Sequence, residues 1–330
     1  MPTEQELILE MQTILQERMV KDYEQGKTKR DAHPKCLGLL KADFKILENI
    51  PKAYKVGIFK SATTYKSWIR ISNSSGKIQS DKEKDFRGFA IKLLNVDGKR
   101  LSNLEEKTQD FLLMSYPVMP LGTVKLFRDA VYYSIKWHAI ILLLKFLFSG
   151  RKDIIKALGE KKNDSNTLDI KYWSTTPYML GEDLKIKYKI VPTSKKTSQL
   201  PEVLTHDYLT TNLAKHLDSD IATFDFYIQQ FIDDQKTPIE DAGIEWKEED
   251  SPFTKVAEIE IPIQELNTED RFNLAEQLSF SPENSLEVHK PIGGINRARI
   301  EIYKALSKFR HKRDNKKLIE PNLNEYESTK

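Results

Sequence analysis

The sequence predicts an α+β fold, an antiparallel β-barrel with an N-terminal helix and C-terminal helices. Segments with an apolar–polar period near two fall into two groups, separated by a helical region. The beginning of the chain instead repeats apolar residues every three to four positions, and a second helix is expected after the Gly-Gly pair at positions 293 and 294. Because the second group resumes the alternation of the first, we expect one sheet or barrel and not two domains.

The first element is an amphipathic helix from about Glu4 to Tyr23. Its apolar residues recur at steps of three and four, which places them on one face: Leu7, Ile8, Met11, Ile14, Leu15 and Met19. We expect residues 1–28 to form a helical arm, residues 29–315 a single domain and residues 316–330 a polar tail.

The strands of the first group lie between Phe44 and Val96. They are YKVGIFK, YKSWIRISN and FRGFAIKLLNV, separated by Gly, Ser and Asn clusters that favour turns. The second group comprises LKIKYKIVP from Leu184, FDFYIQQFI from Phe224 and VAEIEIPI from Val256.

The most apolar segment lies between the two groups, from Val131 to Gly150. Its longest uninterrupted apolar run extends from Ala139 to Leu144, with Lys136 and Lys145 on either side. A membrane-spanning helix needs about 20 apolar residues, so this segment is too short to cross a bilayer. We interpret it as a buried helix packed on the sheet. The alternative is an exposed apolar face that contacts lipid or a partner.

Charge and cysteine content limit the partners and the compartment. The chain has 330 residues, with 52 Lys and Arg against 49 Asp and Glu. A net charge of +3 argues against a protein that coats duplex nucleic acid, so we expect no nucleic-acid partner. Cys36 is the single cysteine, which excludes an internal disulfide and a zinc site of several thiolates. The acidic N-terminus does not resemble a secretion signal, and we expect a cytoplasmic location.

Several common catalytic motifs are absent from the sequence. It contains no GxSxG, no phosphate-binding glycine-rich loop and no GxGxxG. The six histidines, at positions 33, 138, 206, 216, 289 and 311, include no pair at a metal-binding helical spacing. Hydrolases, kinases, nucleotide dehydrogenases and zinc enzymes therefore have little support.

The C-terminal helix carries an informative cluster. From a start near Asn296, it places Arg299, Tyr303 and Arg310 at spacings of four and seven, within roughly 40° of one another around the axis. Positive charge beside a tyrosine favours its phenolate, and phenolate is an iron ligand. A salt-bridging helix with a half-buried tyrosine would give the same pattern, so the spacing alone leaves the role of the cluster open.

Four further motifs precede this helix in a characteristic order. They are RDAH from Arg30, WIRISN from Trp68, DFRGFAIK from Asp85 and TQDF from Thr108. Together with the C-terminal helix, they resemble the haem-dependent catalase family, and most closely its short catalase-related branch. The segments YWSTTPY from Tyr172 and PIEDAGIEW from Pro238 are also similar to this family. The resemblance covers about residues 29–313.

The resemblance implies a catalase-like β-barrel that encloses haem b, and it assigns roles to individual residues. His33 matches the distal histidine over the haem, and Ser72 matches the serine that orients it. Tyr303 matches the tyrosine that ligates iron through its phenolate, which is the known catalase ligand, and Arg299 matches the arginine that keeps this phenolate ionised. The remaining matches are Arg30, Arg70 and Arg310 to the arginines that pair with the haem propionates, and Phe127 to a phenylalanine stacked on the porphyrin.

The implied reaction is heterolytic cleavage of the O–O bond of hydrogen peroxide, as in a catalase or a catalase-like peroxidase. One alternative is an isomerase or lyase of organic or fatty-acid hydroperoxides, as in allene oxide synthases. Another is a haem-binding module of low turnover. Because the family's tetramer-forming segments are short here, the resemblance favours a homodimer.

One departure from the family bears directly on activity. The distal asparagine that helps to position peroxide is replaced by Met114, with Ser115 next to it. A thioether cannot donate a hydrogen bond, so we expect peroxide to be less well oriented, unless Ser115 substitutes in part.

Overall fold

The computed structural model describes residues 2–137, 139–148 and 152–329. The strands are β1 Cys36–Ile46, β2 Thr64–Asn73, β3 Arg87–Leu93, β4 Gln109–Met114, β5 Tyr172–Trp173, β6 Tyr178–Leu180, β7 Leu184–Pro192, β8 Ala222–Gln230 and β9 Phe253–Ile261. The α-helices are α1 Glu4–Asp22, α2 Val124–Lys136, α3 Ala139–Phe148, α4 Lys152–Gly159, α5 Tyr208–Leu217, α6 Glu269–Gln277, α7 Gly294–Arg313 and α8 Leu323–Ser328. Short 3₁₀ helices span Lys52–Tyr54, Gly57–Phe59, Thr167–Asp169 and Glu287–His289.

Eight strands close into one antiparallel barrel, which confirms the predicted architecture. They pair in the order β5-β4-β3-β2-β1-β9-β8-β7, and β5 pairs with β7 to close the ring, while β6 adds to the free side of β7. Five of the six predicted strand segments belong to this one sheet, as β2, β3, β7, β8 and β9. The segment YKVGIFK from Tyr54 is the exception, because it contains the 3₁₀ helix Gly57–Phe59 and no strand. Closure also leaves no unpaired edge in the ring itself.

The interior of the barrel is filled by apolar side chains. Phe44, Phe111, Tyr188 and Phe226 form a cluster of rings with centroids 5.0–5.8 Å apart. This packing fills the interior with side chains, so a large ligand can bind only against the outer wall of the barrel and not inside it.

The strand alternation determines which side chains reach that outer wall. On β2, Ile69 and Ile71 point into the core, so the residues between and beyond them, Arg70 and Ser72, point outwards. Antiparallel pairing also aligns one row across five strands, which consists of Cys36, Ser72, Gly88, Met114 and Trp173.

A layer of helices packs beside the barrel. The predicted N-terminal helix is confirmed as α1, which begins with a capping box between Thr3 and Glu6. Its buried face, including Met11 and Met19, packs with α2 and with Ile302 on α7. The two ends of the chain are thereby brought together.

The apolar segment 131–150 differs from the predicted buried helix. The chain breaks at Trp137, between α2 and α3, and α3 packs on its neighbouring helices instead of the sheet. Trp137, Ile140 and Leu144 are exposed. Residues 138, 149 and 150 lie outside the described residues. No helix in the described ranges is long and apolar enough to cross a membrane.

The segment 316–330, expected to be a polar tail, contains the short helix α8. Tyr326 on this helix is buried, and its ring lies 5.0 Å from that of Trp68 between centroids. Its hydroxyl donates to the carbonyl oxygen of Ala42 at 3.3 Å. This aromatic contact fixes the segment on the outside of β1 and β2.

One buried lysine on β7 has no ion-pair partner in the part of the chain that the structure describes. Lys187 is 5% exposed, and its Nζ has no hydrogen-bond partner among the described residues. The ammonium lies 4.7 Å from the ring centroid of Trp246, which compensates part of the lost hydration. Burial lowers the pKa of Lys187 to about 7.

We expect Lys187→Met to raise the free energy of unfolding at pH 7 by roughly 1 kcal/mol, because burying a polar group without a partner is unfavourable. The parent should gain stability between pH 7 and about 10, since there the unfolded lysine still binds a proton that the folded one has lost. The variant should lack this rise. Urea unfolding at pH 7 and pH 9, with Lys185→Met on the same strand as control, measures both effects. A less stable Lys187→Met protein at pH 7 would contradict the argument.

Candidate functional site

A cavity of about 1020 Å³, measured with its open mouth, lies between the outer wall of β2–β4 and helix α7. Residues from both ends of the chain line it. They include eight of the ten predicted site residues: Arg30, His33, Arg70, Ser72, Met114, Arg299, Tyr303 and Arg310. The structure thus brings together residues that are far apart in the sequence.

His33 lies in the turn that leads into β1, on the barrel side of the cavity. Its Nδ1 shares a hydrogen bond of 3.0 Å with the Ser72 hydroxyl. The contact follows from strand pairing, because Cys36 is the register partner of Ser72 and His33 is only three residues before it. Arg70 Nη2 also donates to the carbonyl oxygen of His33 at 2.8 Å. The φ of His33 is 56°, a backbone conformation that costs free energy and that this contact network maintains.

Gly88 makes the contact between His33 and Ser72 possible. It lies beside Ser72 on β3, and a Cβ atom there would lie 2.6 Å from His33 Nδ1 and 2.7 Å from Ser72 Oγ. Any side chain would displace one of the two groups. Gly88 and Ala90 also leave the centre of this wall without bulky side chains, so it can accept a flat ligand.

His33 is held in its neutral form at pH 7. Burial lowers the pKa of His33 to about 4, and the positive charges of Arg70 and Arg299 contribute to the lowering. The hydrogen bond to Ser72 occupies Nδ1 and leaves Nε2 available to a ligand. A neutral imidazole of this kind can accept a proton and return it.

Three arginines meet at another side of the cavity around one carboxylate. Arg30 and Arg310 both contact Glu276, with N–O distances of 3.4 and 3.5 Å. Burial and the charges of Arg70 and Arg310 lower the pKa of Arg30 well below its ordinary value. Burial would raise the pKa of Glu276, but the surrounding cations hold it below the ordinary value. The cluster carries more positive charge than Glu276 neutralises, and it therefore suits an anionic ligand.

Helix α7 forms the wall on the other side of the cavity and carries Tyr303. The guanidinium carbon of Arg299 lies 5.4 Å from the Tyr303 ring centroid. Arg299 Nη1 donates to Thr176 Oγ1 at 3.1 Å and to Asn296 Oδ1 at 3.3 Å. The helix itself begins after Gly293, whose φ is 86° and whose Cβ would meet the Ile239 carbonyl oxygen at 2.5 Å. Glycine is thus required at this entry to α7.

Sequence reasoning assigned no role to Thr175, Thr176 or Asn296. Thr175 lines the cavity with a φ of 59°, which is unusual for a β-branched residue. The turn at Thr175 places Thr176 against Arg299. The available signal was the YWSTTPY segment, but its pattern gives no indication of backbone conformation. For Asn296, the sequence predicts only that the helix begins near it.

Two predicted site residues lie outside the cavity lining. Ser115 Oγ accepts the backbone N–H of Arg87 at 2.8 Å. Phe127 packs in the helical cluster of α1, α2 and α7. Cys36 is also absent from the lining, and burial raises the pKa of its thiol, which makes it less reactive.

Met114 and its neighbour Ser115 differ in their position relative to the cavity. Met114 lines the cavity as the register partner of Gly88. Its thioether is therefore the group of β4 that follows Ser72 and Gly88 in the row of register partners along the cavity wall.

Three solved structures with a similar fold are catalases. A fungal catalase is 15% identical with a TM-score of 0.67, and the match covers 86% of this chain and 59% of that chain. Catalase A from Saccharomyces cerevisiae is 16% identical with a TM-score of 0.67, covering 86% and 61%. A bacterial catalase is 15% identical with a TM-score of 0.67, covering 89% and 60%. The chain therefore has a catalase-like fold and spans about three fifths of the length of these proteins. No protein-family model and no curated protein sequence matches it.

We expect an NMR titration of ¹³C-labelled histidine in the ligand-free protein to give a pKa near 4 for His33. Arg70→Gln should raise this pKa towards the ordinary value near 6.5, because it removes a positive charge that disfavours the imidazolium. Lys66→Gln, on the same strand but with its ammonium paired to Asp43, is the control and should leave it unchanged. An equal pKa in the parent and Arg70→Gln would show that the charge has no such effect.

Proposed function

We propose that this chain is a haem-dependent enzyme that cleaves the O–O bond of hydroperoxides, with hydrogen peroxide as the first candidate substrate. The observation that carries the proposal is the pairing of two groups in one cavity. Tyr303 with Arg299 lies on the helical wall, and neutral His33 with Ser72 lies on the barrel wall.

The lining fits a haem b group. The Tyr303 oxygen would ligate the iron, and Arg30, Arg70 and Arg310 would pair with the two propionates. The Nε groups of Arg70 and Arg299 are buried without a partner among the described residues, as expected for donors that a ligand satisfies. The small residues Gly88 and Ala90 leave room for a flat macrocycle.

Each side chain of the site would have a distinct role in the reaction. Iron in the bound haem would supply the redox chemistry that breaks the O–O bond. Neutral His33 would take the proton from the near oxygen of the peroxide and return it to the departing oxygen, which leaves as water. Ser72 would hold the imidazole in the orientation for both transfers. Arg299 would stabilise the negative charge on the Tyr303 oxygen.

A second candidate substrate is an organic hydroperoxide, such as that of a fatty acid, which the enzyme would isomerise or cleave as a lyase. Met114 favours it, because its thioether cannot donate a hydrogen bond to a small peroxide but suits an apolar chain. Leu112, Phe280 and Leu306 add apolar surface to the same cavity. If the haem-loaded protein consumes neither substrate, the conclusion would be that it is a haem-binding module of low turnover.

The proposal extends to partners and location. Contact with a lipid surface through residues 131–150 would suit an organic substrate, and the exposed part of α3 supports it. The assembly that we propose is a homodimer. A single cysteine, Cys36, is compatible with a reducing compartment, and we propose a cytoplasmic location.

We expect the purified protein to bind one haem and to give the absorption spectrum of a high-spin ferric tyrosinate. Tyr303→Phe should lose that spectrum, because a phenyl ring has no ligating oxygen. Tyr132→Phe, a partly buried tyrosine of α2, is the matched control and should retain it. An unchanged spectrum in Tyr303→Phe would remove tyrosine ligation from the proposal.

His33→Ala should keep its haem but lose roughly 100-fold or more of its peroxide turnover, because general acid–base catalysis contributes about 10²–10⁴-fold. Oxygen release from hydrogen peroxide and consumption of a fatty-acid hydroperoxide are measured in parallel to identify the substrate. His206→Ala, at an exposed position, is the control. Turnover of His33→Ala within about tenfold of the parent would exclude the proton-transfer role.

A further inference from the structure

An apolar stripe of exposed side chains lies on α3 and at its entry. Trp137 is 58% exposed, Ile140 65%, Ile141 39% and Leu144 45%. The spacings of one, three and four place Ile140, Ile141 and Leu144 on one face of α3, and Trp137 lies shortly before the helix begins. We call these four residues the α3 stripe.

The other side of α3 already has partners within the chain. Phe146 is buried, and α3 contacts α2 before it and α4 after it. Ile154 and Ala157 on α4 are also buried. The orientation of α3 is therefore set by this inner face, and the stripe is what remains directed towards solvent.

The stripe differs from ordinary exposed apolar residues because its members are contiguous. Other exposed apolar side chains, such as Val203 and Ile263, are far from it in the sequence and belong to loops. Isolated exposed apolar residues are normal on protein surfaces, whereas a contiguous patch marks a binding surface.

The charge around the stripe indicates which partner covers it. From Lys136 to Lys156, the sequence has five Lys or Arg and one Asp, a net charge of +4. The carboxylates of Glu17 and Asp129, which lie outside this segment but pair with two of its lysines, reduce it to +2. Lys136 and Lys145 are paired with Glu17 and Asp129, while Lys156 is exposed and in no ion pair among the described residues. A second copy docked through the same face would bring two such positive segments together. An anionic lipid surface would instead attract them.

We propose that the α3 stripe docks this protein onto the surface of anionic membranes. With 10 residues, α3 is about 15 Å long and lies in the interface instead of spanning the bilayer. Trp137 is the type of residue that anchors at the boundary between head groups and acyl chains.

The docking surface belongs to the same layer of helices as the cavity. α3 contacts α2, and α2 packs with α1 and α7, which contribute Met19 and Tyr303 to the cavity lining. Membrane docking does not require the proposed reaction. If the proposed function is correct, docking identifies hydroperoxides of membrane lipids or their fatty acids as the substrate class.

The test is flotation of the full-length, haem-loaded protein with vesicles. We expect it to float with vesicles of phosphatidylcholine and phosphatidylglycerol, to float much less with phosphatidylcholine alone, and to bind more weakly as salt is raised. Ile140→Ser/Leu144→Ser should lower the affinity for the mixed vesicles about tenfold or more, because two apolar side chains no longer leave water. Val203→Ser/Ile263→Ser removes comparable apolar surface elsewhere and should float like the parent.

A second measurement does not depend on the folding of the double variant. Lipids brominated on their acyl chains should quench part of the parent's tryptophan fluorescence, and Trp137→Phe should abolish that quenching. No flotation of the parent with mixed vesicles would overturn the proposal. So would a double variant that changes from dimer to monomer in sedimentation but still floats like the parent. Haem content and peroxide turnover, measured in solution on the same samples, report separately on the proposed function.

Discussion

The close approach of His33 to Ser72 across Gly88 is the constraint on which the cavity depends. Strand pairing brings the turn before β1, the end of β2 and the start of β3 to one place, but only a glycine on β3 leaves space for both polar groups. The same register row continues to Met114, which determines what a ligand meets next. The chemistry of this wall is thus a consequence of antiparallel register, and a slip of one residue would direct every one of these groups into the core.

The opposite wall depends on contacts that are distant in the sequence. Helix α7 is positioned by packing on α1, by the entry at Gly293 and by the hydrogen bonds of Arg299 to Thr176 and Asn296. None of these contacts belongs to the barrel ladder. The two walls are therefore stabilised in different ways: main-chain hydrogen bonds fix the barrel side, whereas side-chain packing and a small polar network fix the helical side. The helical side is the more adaptable of the two.

The sequence predicted the barrel and the helices α1 and α7, because periods of two and 3.6 record which face of an element is buried. It also predicted eight of the residues that line the cavity, since the motifs lie on elements whose pairing brings them together. It did not predict the exposure of α3, because the apolar composition of a helix does not determine which other elements pack on each of its faces. The left-handed backbone of Thr175 and the docking of Tyr326 could not be predicted from the sequence either, because both arise from tertiary contacts. The proposed roles of Ser115 and Phe127 rest on motif alignment, which cannot show that the Ser115 hydroxyl bonds to Arg87.

The distance along the chain between the two walls also has a consequence for biosynthesis. His33 and Tyr303 are 270 positions apart. At ~5–20 residues per second, the ribosome adds the helical wall roughly 14–54 s after the barrel turn that it faces. Neither wall alone forms the cavity, so a ligand that needs both can be captured only when synthesis is nearly complete. Until α7 has been synthesised, the strands that carry Arg70 and Ser72 lack their helical partner, and the small, polar and basic residues along them are tolerant of contact with water.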